Sequence, residues 1–537
     1  MPGFHVEHFG CRAARADGEA VTDRLRAAGL CERQPAAADV VVVNTCSVTA
    51  EADRAARAFI RRTHRLNPAA RIVVTGCYAQ RAPEDLAGIG GVAAVVGNSH
   101  KALAPEIVLR LGLAGSRPSD VQSNLVSVES QLAGNANGTA PIWADDRFAH
   151  SFLEEAQIVP GAQTRPNLKI QEGCGNRCAF CVIPQTRGSS KSLSGAAVLK
   201  QVKGFVEAGG NELVLSGINL GRWGRDFSGS PDAWVVLDSW MPTLSAYERN
   251  AGPSTSPRHA QDDRAPSIGG RLSLSGAPRA VAAPRTLAEL VREIFSETAL
   301  ARLRLSSIEP MDWDAELIGL MAEFGKPKPG HAGTGGARLA RHAHLPLQSG
   351  SDAVLRRMHR RYRPWHYVEK VEALIRAAGP ELTLGADVMA GFPGETDSEF
   401  EETMALIRAL PFGYLHLFPF SPRPGTRAWA MHAERPVRAE VVEERMGALR
   451  ALAAEKSRTH RSGLVGRELE AITLHTPSDL QARGRAAALT ENFLPVEVEG
   501  RLEANRLVRV TVTGLKAEGT LEATIAIPGP DAPALRR

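Results

Sequence analysis

Apolar residues in the first hundred positions come in short unbroken runs. Val40-Val41-Val42-Val43 is the clearest, and four successive valines suit a strand buried on both faces of a sheet. Similar patterns predict strands at 4–9, 71–75 and 92–96, with helices at 19–28 and 49–66 between them. Alternating strand and helix implies a parallel, flavodoxin/Rossmann-like sheet. The same alternation returns further along. Strands are expected at 168–172, 212–216, 302–306, 343–347, 382–387 and 414–418, and helices at 195–208, 287–298, 367–378 and 398–410. Six βα units suggest an incomplete (β/α)6 barrel, whose functional residues belong at the carboxyl ends of its strands. From about Arg467 the period changes again. Val496 and Val498 alternate with Glu497 and Glu499, and Val508, Val510 and Val512 with Arg509 and Thr511, the mark of a small β-barrel. The fold class is therefore α/β with a C-terminal β domain. The units expected are 1–111, a low-complexity linker at 112–165, a barrel at 166–440 with inserts at 226–285 and 325–338, and a β domain at 460–530.

Composition narrows the setting. The 537 residues suffice for about three domains. The first twenty residues carry His5, Glu7, Arg12, Arg15, Asp17 and Glu19 without an apolar run, so no secretory signal is expected. Nor does any stretch approach the ~18 apolar residues of a membrane span. No membrane association and a cytoplasmic location follow as expectations. Seven cysteines, an odd number, argue against a closed disulfide framework. A net charge of +5 permits a polyanionic partner. Candidate RNA contacts are the run from Arg356 to Arg363, and Arg54, Arg57, Arg61, Arg62 and Arg65 at roughly helical spacing.

Six of the cysteines fall into two sets. Cys174, Cys178 and Cys181 stand at C-x3-C-x2-C, with Phe180 before the third. Three thiolates can hold three irons of a [4Fe-4S] cluster and leave the fourth iron open to a small molecule. The alternatives are a zinc site or a disulfide cluster. Zinc wants a fourth Cys or His nearby, and the next histidine after Cys181 is His259. In the second set, Cys11, Cys46 and Cys77 each follow a predicted parallel strand, at the edge where open α/β sheets bind ligands. They suit a second three-thiolate site, the alternative being that each is a small buried hydrophobe. Cys31 breaks the pattern and reads as structural or incidental.

The C-x3-C-x2-C segment with its aromatic resembles the radical S-adenosylmethionine (SAM) superfamily. With the upstream cysteines, the chain is similar to the radical-SAM methylthiotransferase family. The resemblance is carried by Asn44-Thr45-Cys46-Ser47-Val48-Thr49, Val74-Thr75-Gly76-Cys77-Tyr78-Ala79-Gln80, Thr186-Arg187-Gly188, Leu305-Ser306-Ser307-Ile308-Glu309-Pro310, His344-Leu345-Pro346-Leu347-Gln348-Ser349-Gly350 and Gly391-Phe392-Pro393-Gly394-Glu395-Thr396. Thr490-Glu491-Asn492-Phe493-Leu494-Pro495-Val496 resembles the family's terminal TRAM domain, which is linked to RNA binding. One departure is Ala13-Ala14-Arg15, where the family commonly has Asn and Gln.

The resemblance implies two [4Fe-4S] clusters and SAM as cofactors. Cys174, Cys178 and Cys181 would hold the catalytic radical-SAM cluster, and Cys11, Cys46 and Cys77 an auxiliary one. SAM cleavage would give a 5'-deoxyadenosyl radical that takes hydrogen from C2 of an adenine. Sulfur would then arrive from the auxiliary cluster and a methyl group from a second SAM. Phe180 is a further expected cofactor-binding residue. Gly209-Gly210-Asn211-Glu212 resembles the family's glycine-rich SAM motif, with Glu212 facing the methionyl ammonium, and Gly391 and Gly394 would let backbone approach the adenosine, or serve only a tight turn.

Three family branches differ in substrate. Gly217-Ile218-Asn219-Leu220-Gly221, Gly10-Cys11-Arg12 and Ala52-Asp53-Arg54 are similar to the branch acting on N6-threonylcarbamoyladenosine at tRNA position 37. Its partners would be the anticodon loops of ANN-decoding tRNAs and an electron donor such as flavodoxin or ferredoxin, the enzyme acting as a monomer. The alternatives are isopentenyladenosine in tRNA, a ribosomal-protein aspartate, or a non-catalytic iron–sulfur sensor that binds RNA.

Overall fold

The computed structural model describes residues 1–113, 139–146, 148, 164–227, 286–326 and 336–526. The expected inserts and linker therefore lie mostly outside the described residues, Trp234 and Trp240 among them.

The N-terminal unit is a parallel sheet of six strands: β1 (Gly3–His8), β2 (Cys31–Glu32), β3 (Val40–Thr45), β4 (Arg71–Gly76), β5 (Val92–Gly97) and β6 (Ile142–Trp143), in the order β2-β1-β3-β4-β5-β6. Val40 and Val42 pack on one side, with Val73 and Val96, and Val41 and Val43 on the other, with Ile72 and Val74. Two helical layers explain the unbroken valine run. The first helix, Arg12–Ala27, begins directly after Cys11 rather than at 19. Residues 142–143, expected in a linker, add a strand beside β5 and bury Trp143.

The central unit has six parallel strands: β7 (Asn167–Glu172), β9 (Glu212–Gly217), β10 (Arg302–Leu305), β11 (His342–His344), β12 (Thr383–Ala390) and β13 (Phe412–Pro419), with a short antiparallel β8 (Lys191–Ser192) on β7. Hydrogen bonding divides them into two sheets. A Leu303–Leu339 bridge and the 3.0 Å bond from Ile308 N–H to the His344 carbonyl carry the curve across the division. Period-2 alternation assigns the faces. Leu213, Leu215, Leu303, Leu305, Ala343, Leu345, Leu384 and Ala386 join the apolar core beneath the helices. The intervening positions, among them Lys169, Arg304, His344 and Asp387, face inward. A closed barrel of this type fills its interior with branched apolar residues; this interior is polar. The helix Ala439–Ser462 packs along β13, so it belongs with the barrel, which reaches past 440.

The C-terminal unit is a closed barrel of β14 (Glu468–Thr473), β15 (Arg485–Thr490), β16 (Pro495–Glu499), β17 (Leu507–Leu515) and β18 (Leu521–Ile525). It docks where the central strands begin. Glu470 pairs with Arg302, and Glu491 with Arg341. Asn492 donates to the Glu381 carbonyl at 2.9 Å, and Asn505 to that of Gly209 at 2.9 Å. Phe493, at φ +71°, projects from the β15–β16 turn. The guanidiniums of Arg304, Arg12 and Arg165 lie 5.0, 5.3 and 5.9 Å from its ring centroid, and His342 is 4.6 Å away, ring to ring.

Glu212 sits at this closed end, fully buried. It receives Arg302 and Arg304 at 3.2 and 3.1 Å and lies 3.6 Å from Arg165. Burial alone would raise its carboxyl, but Arg304, Arg302 and Arg165 together hold it below its ordinary 4.5. A carboxyl depressed in the folded state contributes stability that is complete above the unfolded value and lost as pH falls through the folded one. Glu212→Gln is therefore expected to destabilise the chain by about 3–5 kcal/mol at neutral pH. Urea unfolding followed from pH 7 to pH 3 checks it: the gap between wild type and variant should narrow below the ordinary 4.5.

Candidate functional site

Each upstream cysteine stands at the carboxyl edge of a neighbouring strand. Cys11 follows β1 after two intervening residues and caps the helix Arg12–Ala27, Cys46 follows β3 directly, and Cys77 follows β4 and opens the helix Cys77–Arg81. Because β1, β3 and β4 are adjacent, the three loops lie side by side. Two glycines make the fit possible. A Cβ on Gly10 would come 2.7 Å from the Cys46 sulfur, and one on Gly76 2.3 Å from the Thr45 carbonyl; both have positive φ, +108° and +98°. The Cys46 thiol is pushed up to about 12 by burial and by the charges of Cys77 and Cys11.

The second triplet follows β7. Cys181 is likewise pushed up to about 12, first by burial and then by Cys178 and Cys174. Burial raises Cys174 too, opposed by the Asn176 amide at 3.4 Å and the Asn219 side chain at 3.6 Å. The Cys178 sulfur accepts from Arg360 at 3.3 Å, and Arg360 also clamps Glu309 at 2.7 and 2.8 Å. In both triplets the sulfurs are crowded, mutually repelling and met by N–H donors. That donor set suits an iron–sulfur cluster, whose metal charge holds the ligands as thiolates and whose sulfurs accept such bonds.

The two triplets adjoin. The Cys174 amide donates to the Gly188 carbonyl at 3.1 Å. The preceding residue, Arg187, donates Nε–H to the Cys77 sulfur at 3.3 Å, and Asn98 donates to the same sulfur at 3.4 Å. Arg187 also bonds Glu172 at 2.6 Å and Asp17 at 3.0 Å. Lys169 pairs with Asp17, and Lys101 with Glu172. Three cations and two carboxylates are thus buried together between the N-terminal unit and the barrel. Burial would raise Asp17, but Lys101, Lys169 and Arg187 hold it well below the usual carboxylate range. A second contact joins the units where Asp53 takes Arg423 at 2.7 Å and Arg81 at 2.8 Å.

Other expected residues fall less well. Phe180 packs edge-on to Phe392 beside the cysteines, ring centroids 6.5 Å apart. Gly209, Gly210 and Glu212 lie at the opposite end of β9 from Cys174, beneath the C-terminal domain. The SAM-binding expectation for them is corrected: Glu212 is a buried structural counter-ion. Gly391 and Gly394 form a turn with φ +78° and +72°, and their open sides face Val442 and Arg435 in the outer layer. The Arg356–Arg363 run is mostly consumed in ion pairs: Arg356 and Arg363 with Asp352, Arg357 with Glu399, Arg360 with Glu309, Arg361 with Asp312. By contrast, Arg54, Arg61, Arg62 and Arg65 are exposed on the helix Ala50–Leu66. Arg187, Arg360, Asn98 and Asn219 escaped the cysteine-centred reading, although Arg187 and Asn219 stand inside motifs already noted. Cys31 is half-buried and its thiol faces Met1 at 3.8 Å, away from both triplets.

The family described as uncharacterized protein family UPF0004 matches residues 3–97, and the radical SAM superfamily matches residues 283–407. A threonylcarbamoyladenosine tRNA methylthiotransferase of Bacillus subtilis is 30% identical over 95% of the chain and 93% of its own length. A tRNA-2-methylthio-N(6)-dimethylallyladenosine synthase of Erythrobacter litoralis is 30% identical over 88% of the chain and 86% of its own. Among solved structures, a radical SAM methyltransferase of Kitasatospora setae aligns over 81% of the chain and 78% of its own, with a TM-score of 0.46 and 13% identity.

Removing one carboxylate from the buried junction leaves three cations facing Glu172 alone. Asp17→Asn is expected to weaken closure of the N-terminal unit by about 3–5 kcal/mol, seen as a lower urea midpoint and faster proteolysis of that unit.

Proposed function

The chain belongs to the radical-SAM methylthiotransferase family, and on that premise we propose that it adds a methylthio group to C2 of N6-threonylcarbamoyladenosine at tRNA position 37. The enzyme is of the sulfur-transferring type and uses [4Fe-4S] clusters and SAM. The observation that carries the reading is the convergence of two cysteine triplets on one junction, bridged by Arg187. We assign Cys174, Cys178 and Cys181 to the cluster that binds SAM, and Cys11, Cys46 and Cys77 to the auxiliary one. Bound there, the clusters and SAM supply one-electron chemistry, sulfur and a methyl group.

The chain's own residues do the positioning. Asn176 and Asn219 orient the Cys174 sulfur, Arg360 that of Cys178, and Arg187 with Asn98 that of Cys77. Such bonds favour the thiolate and shift the potential of whatever metal it holds. Arg187 fixes the distance between the triplets, and a short distance is what sulfur transfer to a carbon radical requires. The N-terminal unit flanks β7 through Asn167, which donates to the Arg12 carbonyl at 2.9 Å.

The threonylcarbamoyl branch is supported by Gly217-Ile218-Asn219-Leu220-Gly221 after β9 and by Gly10-Cys11-Arg12. Exposed Arg54, Arg61, Arg62 and Arg65 offer phosphate contacts for an anticodon arm, and the partners follow as ANN-decoding tRNAs and a flavodoxin- or ferredoxin-type donor. Among the described residues no helix is long and apolar enough to cross a membrane.

Anaerobic reconstitution with SAM, reductant and threonylcarbamoyl-modified tRNA tests the reading through the mass of the digested nucleosides. A methylthio gain is expected on that nucleoside. Cys174→Ala and Cys77→Ala should each lose about half of the bound iron; Cys174→Ala should abolish SAM cleavage, and Cys77→Ala methylthio formation alone. A gain only on isopentenyladenosine would move the enzyme to the other branch, and intact SAM with no gain on any substrate would sink the enzymatic reading.

A further inference from the structure

The inner face of the central barrel holds charge that the cysteine chemistry does not use. On β11, β12 and β13 it presents His342, His344, Asp387, Tyr414 and His416. His344, Asp387 and His416 bring their ligand atoms within 4.8 Å of one another. His344 is fixed through Nδ1 by the Ser307 hydroxyl at 2.9 Å, while its buried Nε2 lies 3.5 Å from the Asp387 carboxylate and makes no hydrogen bond. Tyr414 bonds His342 at 2.7 Å. Toward the closed end lies Phe493, with three guanidiniums around its ring.

Arg12 differs from the other cations there. Arg304 and Arg165 share Glu212, and Lys169 has Asp17. The Arg12 guanidinium makes no hydrogen bond or ion pair with any described residue. It is exposed and stands 5.3 Å from the centroid of the Phe493 ring, beside Arg165 and Arg304. A cation held against an apolar ring, unpaired and reachable by solvent, can receive an anion. It reaches this position from the residue after Cys11, so the same loop serves the auxiliary triplet and the barrel interior.

We propose that Arg12 binds the carboxylate of the threonylcarbamoyl group on N6, making the polar inner face the pocket that selects the substrate. This rests on the substrate reading given above. The C2–H and C6–N6 bonds of adenine flank N1 and diverge, so a base presenting C2 to the cysteines holds its N6 group to one side of them, where the polar inner face can receive it. His344 Nε2 is placed to meet the threonyl hydroxyl. An isopentenyl group carries no charge and would leave Arg12 unpaired, so the residue that attracts one substrate gives the other no counter-charge.

Anticodon stem–loop RNAs carrying the threonylcarbamoyl acid, its methyl ester or isopentenyladenosine at position 37 distinguish the cases, with Kd measured at fixed salt on the cluster-loaded full chain. Wild type is expected to prefer the acid over the ester by about 10- to 100-fold. Arg12→Gln should bind acid and ester alike with unchanged affinity for the ester, and Arg12→Lys should restore part of the preference. Iron content and melting temperature equal to wild type report an intact Cys11 loop. On the unaltered protein, the acid RNA should protect Arg12 from phenylglyoxal, and the ester RNA should not. An acid preference that persists in Arg12→Gln, or no protection of Arg12, overturns the proposal. A wild type that prefers the isopentenyl RNA, or ignores the carboxylate, overturns the substrate reading itself, and Arg12's role with it.

Discussion

Arg187 is the side chain on which both cysteine triplets depend. Fully buried, it spends one guanidinium on Asp17 from the N-terminal unit, Glu172 from the barrel and the sulfur of Cys77. With Lys101 and Lys169 it makes three cations against two carboxylates. An unbalanced charge in a buried site is expensive, and the Cys77 sulfur is a further acceptor within reach of Arg187. Domain closure and the placing of that sulfur are coupled by one set of ion pairs, which the chain cannot make with either domain alone.

The same economy of charge shapes the barrel interior. A polar lumen has to be closed at one end without stranding its buried groups. The C-terminal domain does this with Glu470 and Glu491, which answer Arg302 and Arg341, while Glu212 answers Arg304 from inside. The opposite end, where Ser307, Glu309 and Asn219 follow their strands, stays with the cysteines. Polar residues thus run through the barrel from a neutralised floor to the edge that carries the cysteines, with apolar packing on the outer face.

Much of this was legible. The positions of Cys11, Cys46 and Cys77 after parallel strands needed only the valine run and its neighbours, and the three strands they follow are adjacent in the sheet. Arg302-Leu303-Arg304-Leu305 and His342-Ala343-His344-Leu345 display their alternation openly. What the pattern does not say is which side is a lumen, because both faces are buried. The helix expected at 19 starts at Arg12, and its first turns read as surface because Asp17, which pairs with Lys169 and Arg187 of the barrel, is a polar residue at a largely buried position. The Arg356–Arg363 run looks free because partners such as Glu399 and Glu309 lie some 40 to 50 residues away. Glu212 misled for a related reason: a glycine pair before an acidic residue resembles a ligand motif whichever end of the strand it occupies.

Phe493 shows how far the C-terminal domain enters the chemistry. Its positive φ is strained for an aromatic residue, and the turn is held by Thr490, whose hydroxyl accepts from the Leu494 amide at 3.0 Å and bonds Asn492 at 2.5 Å. A turn that strained persists when its surroundings over-determine it, and here they do. Asn492 is anchored on Glu381, Glu491 on Arg341, and the ring lies among Arg12, Arg165 and Arg304. These contacts place an apolar face under guanidiniums that would otherwise repel one another. The inward turn of the C-terminal domain supports the floor of the barrel and lies directly beneath Arg12. The C-terminal domain and the lumen therefore share a mechanical element, one turn of five residues from Thr490 to Leu494.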